Sequence, residues 1–290
     1  MSLRVRAPAS TANLGPGFDC AAAALELWNE LELVENGAVA TVEVEGEGAE
    51  ELPRDTEHLA LRAFALFASP DRYRFRFVNR IPLERGLGSS AAAVAIGLVA
   101  GASVAGRDAT RDELLAAGEA LEGHGDNLAA ALFGGVTVAW RNEGAPTARR
   151  LADELPLLPV LVIPRERTST RRSRSALPAT VAHDDAAANA AAAALLGAGI
   201  AHGDADLLRS AFRDRLHEPY RLESAPLLAR LRETPPAGSA GVTLSGSGPS
   251  VVVWASPDDA DVVAAELTRS LPDDTTVLPL RVARRGAEIE

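Results

Sequence analysis

The period of apolar and polar positions changes several times along the chain, and each change marks an element. Leu3 to Arg6 alternates apolar with basic side chains ahead of Pro8, the pattern of a short first strand. Leu25, Leu27, Leu31 and Leu33 then alternate with Glu26, Asn29, Glu30 and Glu32. The alternation resumes from Val39 to Val44 after Asn36 and Gly37, which predicts a hairpin with one solvated face. Asp55 or Thr56 is placed to cap a helix running to about Ala68 that carries Leu59, Leu61, Phe64, Leu66 and Phe67. Next, Arg72, Arg74 and Arg76 alternate with Tyr73, Phe75 and Phe77. The ordinary meaning of such a basic strand face is contact with water, and the rarer one is anion binding.

An apolar helix is predicted over Val94 to Ala105, and Thr110 with Glu113 forms a capping-box pattern opening a second helix to about Leu121. Val136 to Arg141 and Leu157 to Ile163 read as strands. The polar, Pro-containing stretch Asn142 to Pro156 between them marks a soft boundary, giving lobes of residues 1–150 and 151–290. Ala186 to Ile200 is helical by propensity, and Asp206 to His217 reads as a further amphipathic helix leading into HEPYR. Gly241 to Trp254 sets a glycine-serine turn between two β-rich runs, and a helix from about Asp258 to Ser270 and a strand from about Thr276 to Val282 follow. Strands and helices alternate in both halves without an internal repeat, so the class is α+β or α/β with two lobes.

Against this framework three segments break the periodicity with glycine. PLERGLGSSAAA, Pro82 to Ala93, is a flexible turn that becomes a helix N-terminus at Ser89 or Ser90, with backbone N–H groups left for an anion. An ordinary loop with a serine cap fits the same residues equally well. PASTANLGPGFD, Pro8 to Asp19, reads as a polar loop after the first strand, either a connection or a binding segment. LSGSGPSVVVW supplies the third. Between them EGHGDN crowds Glu122, His124, Asp126 and Asn127, which form either an interhelix turn capped at Asp126 or Asn127, or the material of a metal or transfer site. Arg165, Arg167, Arg171, Arg172 and Arg174 cluster further on, in keeping with balance of an acidic surface.

Composition narrows the chemistry. The 290 residues are 47% hydrophobic and 24% charged, as in an ordinary globular protein. A net charge of −11 argues against nucleic acid as the main partner. All 29 basic residues are Arg, which excludes a Walker P-loop and the strand lysine of protein kinases, so any phosphate chemistry must use backbone amides, Ser, Arg and a metal. Cys20 is the single cysteine, so no intramolecular disulfide or cysteine-built zinc site forms, and a reducing, cytoplasmic setting is expected. MSLRVRAPAS lacks the long apolar core of a secretory leader, and Ala91 to Ala105 is too short and too rich in Ala and Gly for a membrane span; a buried helix is expected.

Taken in order, PASTANLGPGFD, PLERGLGSSAAA and LSGSGPSVVVW resemble the three motifs of the GHMP small-molecule kinases. EGHGDN and TRRSRSALP lie between them as in the homoserine kinase branch of that family. The resemblance spans nearly the whole chain. It implies an α+β, two-lobed fold, with an N-terminal lobe like ribosomal protein S5 domain 2 and a C-terminal ferredoxin-like lobe. It also implies transfer of a phosphoryl group from ATP, with Mg²⁺, to the hydroxyl of L-homoserine for threonine synthesis. A cytoplasmic homodimer with no nucleic-acid or membrane partner is implied as well.

Carried over by motif, Pro82, Arg85, Gly86, Leu87, Gly88, Ser89, Ser90, Ala91 and Ala92 form the ATP motif, with Ser90 or Ser89 near Mg²⁺. Glu122 is the implied metal carboxylate, and Glu119, one helical turn earlier, is the alternative. Asn13, Asp19, Arg174 and Arg221 match substrate positions. Asp19 suits an amino group, and two guanidinium groups suit an α-carboxylate. His124, Asp126 and Asn127 fall at the transfer site, where related kinases carry an aspartate base at the position of Asn127. Asn127 is expected to orient the hydroxyl, and Asp126 is the rival as base. The run departs from the family pattern at Gly125, where proline is usual, and at Ser173, where alanine is usual.

Overall fold

Glu32 and Glu45, on strands that the alternation pattern sets side by side, both reach to Arg76 from opposite sides (3.8 and 3.3 Å). That arrangement fixes the first sheet. The computed structural model describes residues 2–37 and 39–290, and the Thr170 and Arg172 side chains lie outside the described set. Strands β1 (Ser2–Ala12) and β2 (Ala21–Glu35) pair antiparallel along their length. The outer half of β2 pairs with β4 (Tyr73–Asn79), and β3 (Thr41–Gly46) lies parallel to β4 on its far side. The predicted β2–β3 hairpin is therefore wrong. Both strands carry glutamates on the wet face and would repel as neighbours, whereas β4 brings Arg76 to both Glu32 and Glu45, and Arg72, just before it, reaches Glu35 (3.0 Å). The basic strand face is thus solvated and ion-paired.

Two further strands differ from expectation. β1 runs past Pro8 to Ala12, because the pairing shifts between Pro8 and Ala9 and a bulge tolerates the missing N–H. The irregular loop accordingly begins at Asn13. The inner end of β2 pairs with β5 (Val136–Asn142), which turns at Glu143 and Gly144, both with positive φ, into β6 (Ala145–Ala152). A strand thus occupies most of the stretch expected to be irregular. β11 (Glu288–Ile289) returns to pair with β1. The second sheet has four antiparallel strands in the order β10 (Thr276–Pro279), β7 (Leu158–Ile163), β9 (Val251–Ala255), β8 (Ser239–Leu244), and the glycine-serine turn connects β8 to β9 as expected.

Helices α1 (Leu59–Phe64), α2 (Ser89–Val104), α3 (Arg111–Glu122) and α4 (Gly125–Phe133) pack with the first sheet. Among the described residues no helix is long and apolar enough to cross a membrane. The apolar α2 is buried almost all round, and its glycines let α1 approach to backbone contact: a Cβ on Gly97 would stand 2.1 Å from the Ala60 carbonyl oxygen. α1 begins later than expected. His58, and neither Asp55 nor Thr56, is its N-cap, accepting from the Ala60 amide through Nδ1 (3.3 Å). α3 opens with the expected capping box between Thr110 and Glu113.

α5 (Thr170–Ser175), α6 (His183–His202), α7 (Ala205–Ala211), α8 (Glu218–Arg221), α9 (Pro226–Glu233) and α10 (Ala260–Ser270) belong to the later half. The helix expected over Asp206 to His217 ends at Ala211. Beyond it the Asp214 carboxylate takes the amides of Leu216, His217 and Glu218, a side-chain competitor that stops one helix and opens α8. A main core under the first sheet extends to Trp254, and a second lies between the second sheet, α9 and α10.

Candidate active site

Gly86 and Gly88 hold φ of +72° and +68°, and each is fixed as glycine by what surrounds it. A Cβ on Gly86 would lie 2.2 Å from the Ser245 carbonyl oxygen, and one on Gly88 would lie 2.0 Å from Ser10 Oγ. The turn is therefore clamped between β1 and the β8–β9 turn. Ser245 Oγ sits 2.7 Å from the Gly86 carbonyl and 2.9 Å from Thr11 Oγ1. Gly88 is itself the N-cap of α2 and makes no side-chain cap bond, which leaves the first turn of α2 facing a cavity of about 460 Å³. Neither Ser89 nor Ser90 is the cap.

Ser90 Oγ donates to Glu122 Oε1 at 2.7 Å, joining the start of α2 to the end of α3. Burial pushes the Glu122 carboxyl up to about 7, with Asp126 adding to the rise and Ser90 opposing it. Glu119 is turned away to Arg141 (2.9 Å) and does not line the cavity. His124 is the N-cap of α4, so the helix starts ahead of Asp126 and Asn127. Asp126 is buried, which raises its carboxyl, and its Oδ1 accepts the Asn127 amide at 2.7 Å. Asn127 Oδ1 accepts from Ser10 Oγ at 2.8 Å, and Asn127 Nδ2 faces Asp126 Oδ1 at 3.3 Å.

Across the cavity, positive φ at Asn13 and Asp19 folds the first glycine segment back on itself, and Asn13 Oδ1 accepts the Asp19 amide while its Nδ2 donates to the Gly246 carbonyl. Arg174 Nη2 meets Asp19 Oδ1 at 2.5 Å, and the guanidinium groups of Arg174 and Arg221 stand 5.7 and 5.5 Å from the centre of the Phe18 ring. Arg221 is buried, and its Nη1 donates to His217 Nδ1 (2.9 Å) and Gly246 O (3.2 Å). His217 therefore keeps its proton on Nε2, which donates to Gly15 O at 2.9 Å. Burial lowers its pKa and holds the ring neutral. The Nε atoms of Arg174 and Arg221 are both buried without a partner among the described residues.

Asn13, Asp19, Pro82, Arg85, Gly86, Leu87, Gly88, Ser89, Ser90, Glu122, His124, Asp126, Asn127, Arg174 and Arg221 all line the one cavity. Ala91 and Ala92 do not: their side chains are fully buried in the main core, on the far side of the first turn of α2. Arg85 reaches the wall with its charge already engaged, Nε on Pro164 O (2.9 Å), Nη1 on Leu83 O (3.1 Å) and Nη2 on Arg165 O. It ties the glycine turn to the segment after β7. Sequence reasoning placed Ser10 in the first polar loop and Gly246 in the third glycine segment without giving either a role, and it missed His58. His58 lines the cavity, stacks on Phe77 (ring centroids 4.4 Å apart), and has a buried Nε2 without a partner among the described residues; desolvation lowers its pKa to about 4. The sequence shows His58 only as a histidine before an apolar run, and nothing in it signals the stacking.

With these parts in place, the comparison with known proteins is direct. Residues 58–135 match the GHMP kinases N terminal domain, and residues 191–273 match the GHMP kinases C terminal domain. A homoserine kinase of Streptomyces coelicolor is 40% identical over 91% of this chain and 88% of its own length. That of Moorella thermoacetica is 42% identical over 86% of each. The chain belongs to the homoserine kinases of the GHMP kinase family. A crystal structure of homoserine kinase from Cytophaga hutchinsonii superposes with a TM-score of 0.85 at 26% identity, covering 100% of this chain and 97% of the other. L. major mevalonate kinase, at 17% identity and a TM-score of 0.73 over 96% and 95% of the two chains, shares the fold. In this GHMP kinase the three glycine segments converge on a single cleft, and the α+β, two-lobed architecture implied by the motifs is the one observed.

Proposed function

We propose that this chain transfers the γ-phosphoryl group of ATP to the side-chain hydroxyl of L-homoserine, giving O-phospho-L-homoserine on the route to threonine. The observation that carries the reading is the grouping of Asp19 with Arg174 and Arg221 in the same cavity as the glycine turn. Asp19 offers a carboxylate to an ammonium group. The two guanidinium groups, each with an unpartnered buried Nε, offer forked donors to an α-carboxylate. A zwitterionic amino acid meets both demands, and an uncharged alcohol meets neither.

ATP binds, on this reading, with its phosphates at the N-terminus of α2, where backbone N–H groups and Ser89 and Ser90 take the place of the absent lysine. His58 and Phe77 line the same cavity. Ser90 and Glu122 would hold Mg²⁺. A hydroxyl beside a single carboxylate, with phosphate oxygens and water completing the shell, is a donor set that suits this ion. The raised Glu122 carboxyl fits too, since its direct hydrogen-bond partner among the described residues is a neutral hydroxyl. When bound, the ion supplies neutralisation of charge on the transferred group.

Asn127 orients the acceptor. With Oδ1 held by Ser10, its amide presents N–H to the substrate oxygen, which leaves the hydroxyl proton to pass to a phosphate oxygen. A loose transition state relies on alignment and charge more than on a base, so weak assistance suffices. Asp126 is the competing proton acceptor. Loss of turnover in Asp126→Asn with both substrates still bound, beside little change in Asn127→Ala, would replace Asn127 by Asp126 in this scheme. The functional reading itself is tested by ADP release with homoserine, serine, threonine, mevalonate and shikimate, with and without Mg²⁺. Turnover is expected with homoserine and Mg²⁺, and clear preference for mevalonate would overturn it.

A further inference from the structure

Ser10 is fully buried at the end of β1, yet it touches both halves of the transfer site. Its backbone N–H donates to the Leu87 carbonyl inside the glycine turn (3.1 Å), and its hydroxyl donates to Asn127 Oδ1 at the start of α4 (2.8 Å). Gly88 lies against the same hydroxyl: a Cβ there would stand 2.0 Å from Ser10 Oγ and 3.1 Å from Asn127 Oδ1. The turn, the serine and the amide are therefore packed in a row with no slack.

The sense of the Asn127 amide follows from its two neighbours. Nδ2 stands 3.3 Å from Asp126 Oδ1, and a reversed amide would set its oxygen against that carboxylate. Ser10 completes the arrangement from the other side by donating to Oδ1. The carboxylate selects the sense of the amide, and the Ser10 hydroxyl, free to rotate and donate, holds it there.

We propose that Ser10 is a positioning residue for phosphoryl transfer: it sets the spacing between the phosphate-holding turn and Asn127, and holds the Asn127 amide so that N–H faces the acceptor hydroxyl. The proposal rests on the homoserine reading of the site and adds to it a residue that contacts neither substrate. Misplacing an orienting group by a fraction of an ångström lowers turnover without removing any binding contact, so the effect belongs in kcat.

The test is a double-mutant cycle of Ser10→Ala and Asn127→Ala in the full chain. Ser10→Ala is expected to lower kcat by about tenfold to a hundredfold, with KM for ATP and homoserine within about twofold of wild type. In the Asn127→Ala background Ser10→Ala is expected to cost nothing more. Where Ser10→Ala does not fold, Ser10→Cys, a weaker donor, carries the same expectation. The Asn127 side-chain NH₂ cross-peaks, identified by their loss in Asn127→Ala, are expected to shift in Ser10→Ala. That readout needs no substrate and so separates failure of this inference from failure of the homoserine reading. An unchanged kcat, an equal loss in both backgrounds, or unmoved cross-peaks would overturn the proposal.

Discussion

Arg174 and Asp19, 155 residues apart in sequence, meet at 2.5 Å in the wall of the cavity, and both side chains keep part of their surface open (35% and 41%). A pair so exposed contributes about 0–1 kcal/mol to stability, so opening it to admit a ligand costs little. On the proposed reading, an amino acid inserting between them would exchange this weak contact for two, its ammonium on Asp19 and its carboxylate on Arg174.

Arg174→Lys removes the planar fork and keeps the charge. KM for homoserine is expected to rise about tenfold, with KM for ATP unchanged and Tm within a degree or so of wild type. Steady-state kinetics against each substrate in turn measure this. An unaltered homoserine KM would remove Arg174 from the substrate site.

Glu122 ties the site to pH. The carboxyl titrates at about 7 in the folded chain and near 4.5 when unfolded, so the folded state holds the proton more tightly. Its cost to stability is absent below 4.5 and grows as pH rises to about 7. Thermal melts of ligand-free Glu122→Gln are therefore expected to show a Tm above wild type at pH 8 and equal to it at pH 4.5. The same variant is expected to lose Mg²⁺-dependent turnover.

His58 has the opposite sign. Burial holds it near 4 where the unfolded chain titrates near 6.5, so the folded state binds fewer protons and stability present above 6.5 is lost as pH falls toward 4. His58→Phe keeps a ring against Phe77 and removes both nitrogens. The fall in Tm between pH 6.5 and 4 is expected to flatten. Tm at pH 8 drops by a few degrees through loss of the α1 cap, and KM for ATP rises severalfold while that for homoserine holds.

Gly86→Ala tests the clamp on the glycine turn. With φ at +72° and a Cβ placed 2.2 Å from the Ser245 carbonyl and 3.0 Å from the Gly248 amide nitrogen, backbone must move on both sides. A loss of at least about 2 kcal/mol in urea unfolding is expected, together with a higher KM for ATP.

Local chemistry was the legible part of the sequence. The Thr110–Glu113 capping box, the start of α2 at Ser89, the alternation of Arg74 and Arg76 with Phe75 and Phe77, and the turn between β8 and β9 are each decided by neighbours in the chain. Pairing partners were not, because alternation assigns a strand its faces and says nothing of which strand lies beside it. The glutamates of β2 and β3 were the available signal that β4 separates them. Asp214 reads as an ordinary helix-surface residue until its carboxylate takes three amides ahead. In the site, resemblance to the family's motifs brought Asp19, Glu122, Arg174 and Arg221 to notice, and charge type then suited them to their roles. What hid Arg85's engagement and Ser10's bond to Asn127 is that both depend on contacts between distant segments: Arg85 reaches the carbonyls of Pro164 and Arg165, and Ser10 meets a side chain 117 residues away.

On the proposed reading the cavity reads both charges of an amino acid while holding its hydroxyl for transfer. That reading is tested most directly by kcat/KM for homoserine beside 3-aminopropan-1-ol, which lacks the carboxylate, and 4-hydroxybutanoate, which lacks the ammonium. The account predicts a loss of about a hundredfold or more for each truncated alcohol, the first abolishing the difference between wild type and Arg174→Lys. Turnover of either one within a few fold of homoserine would contradict it.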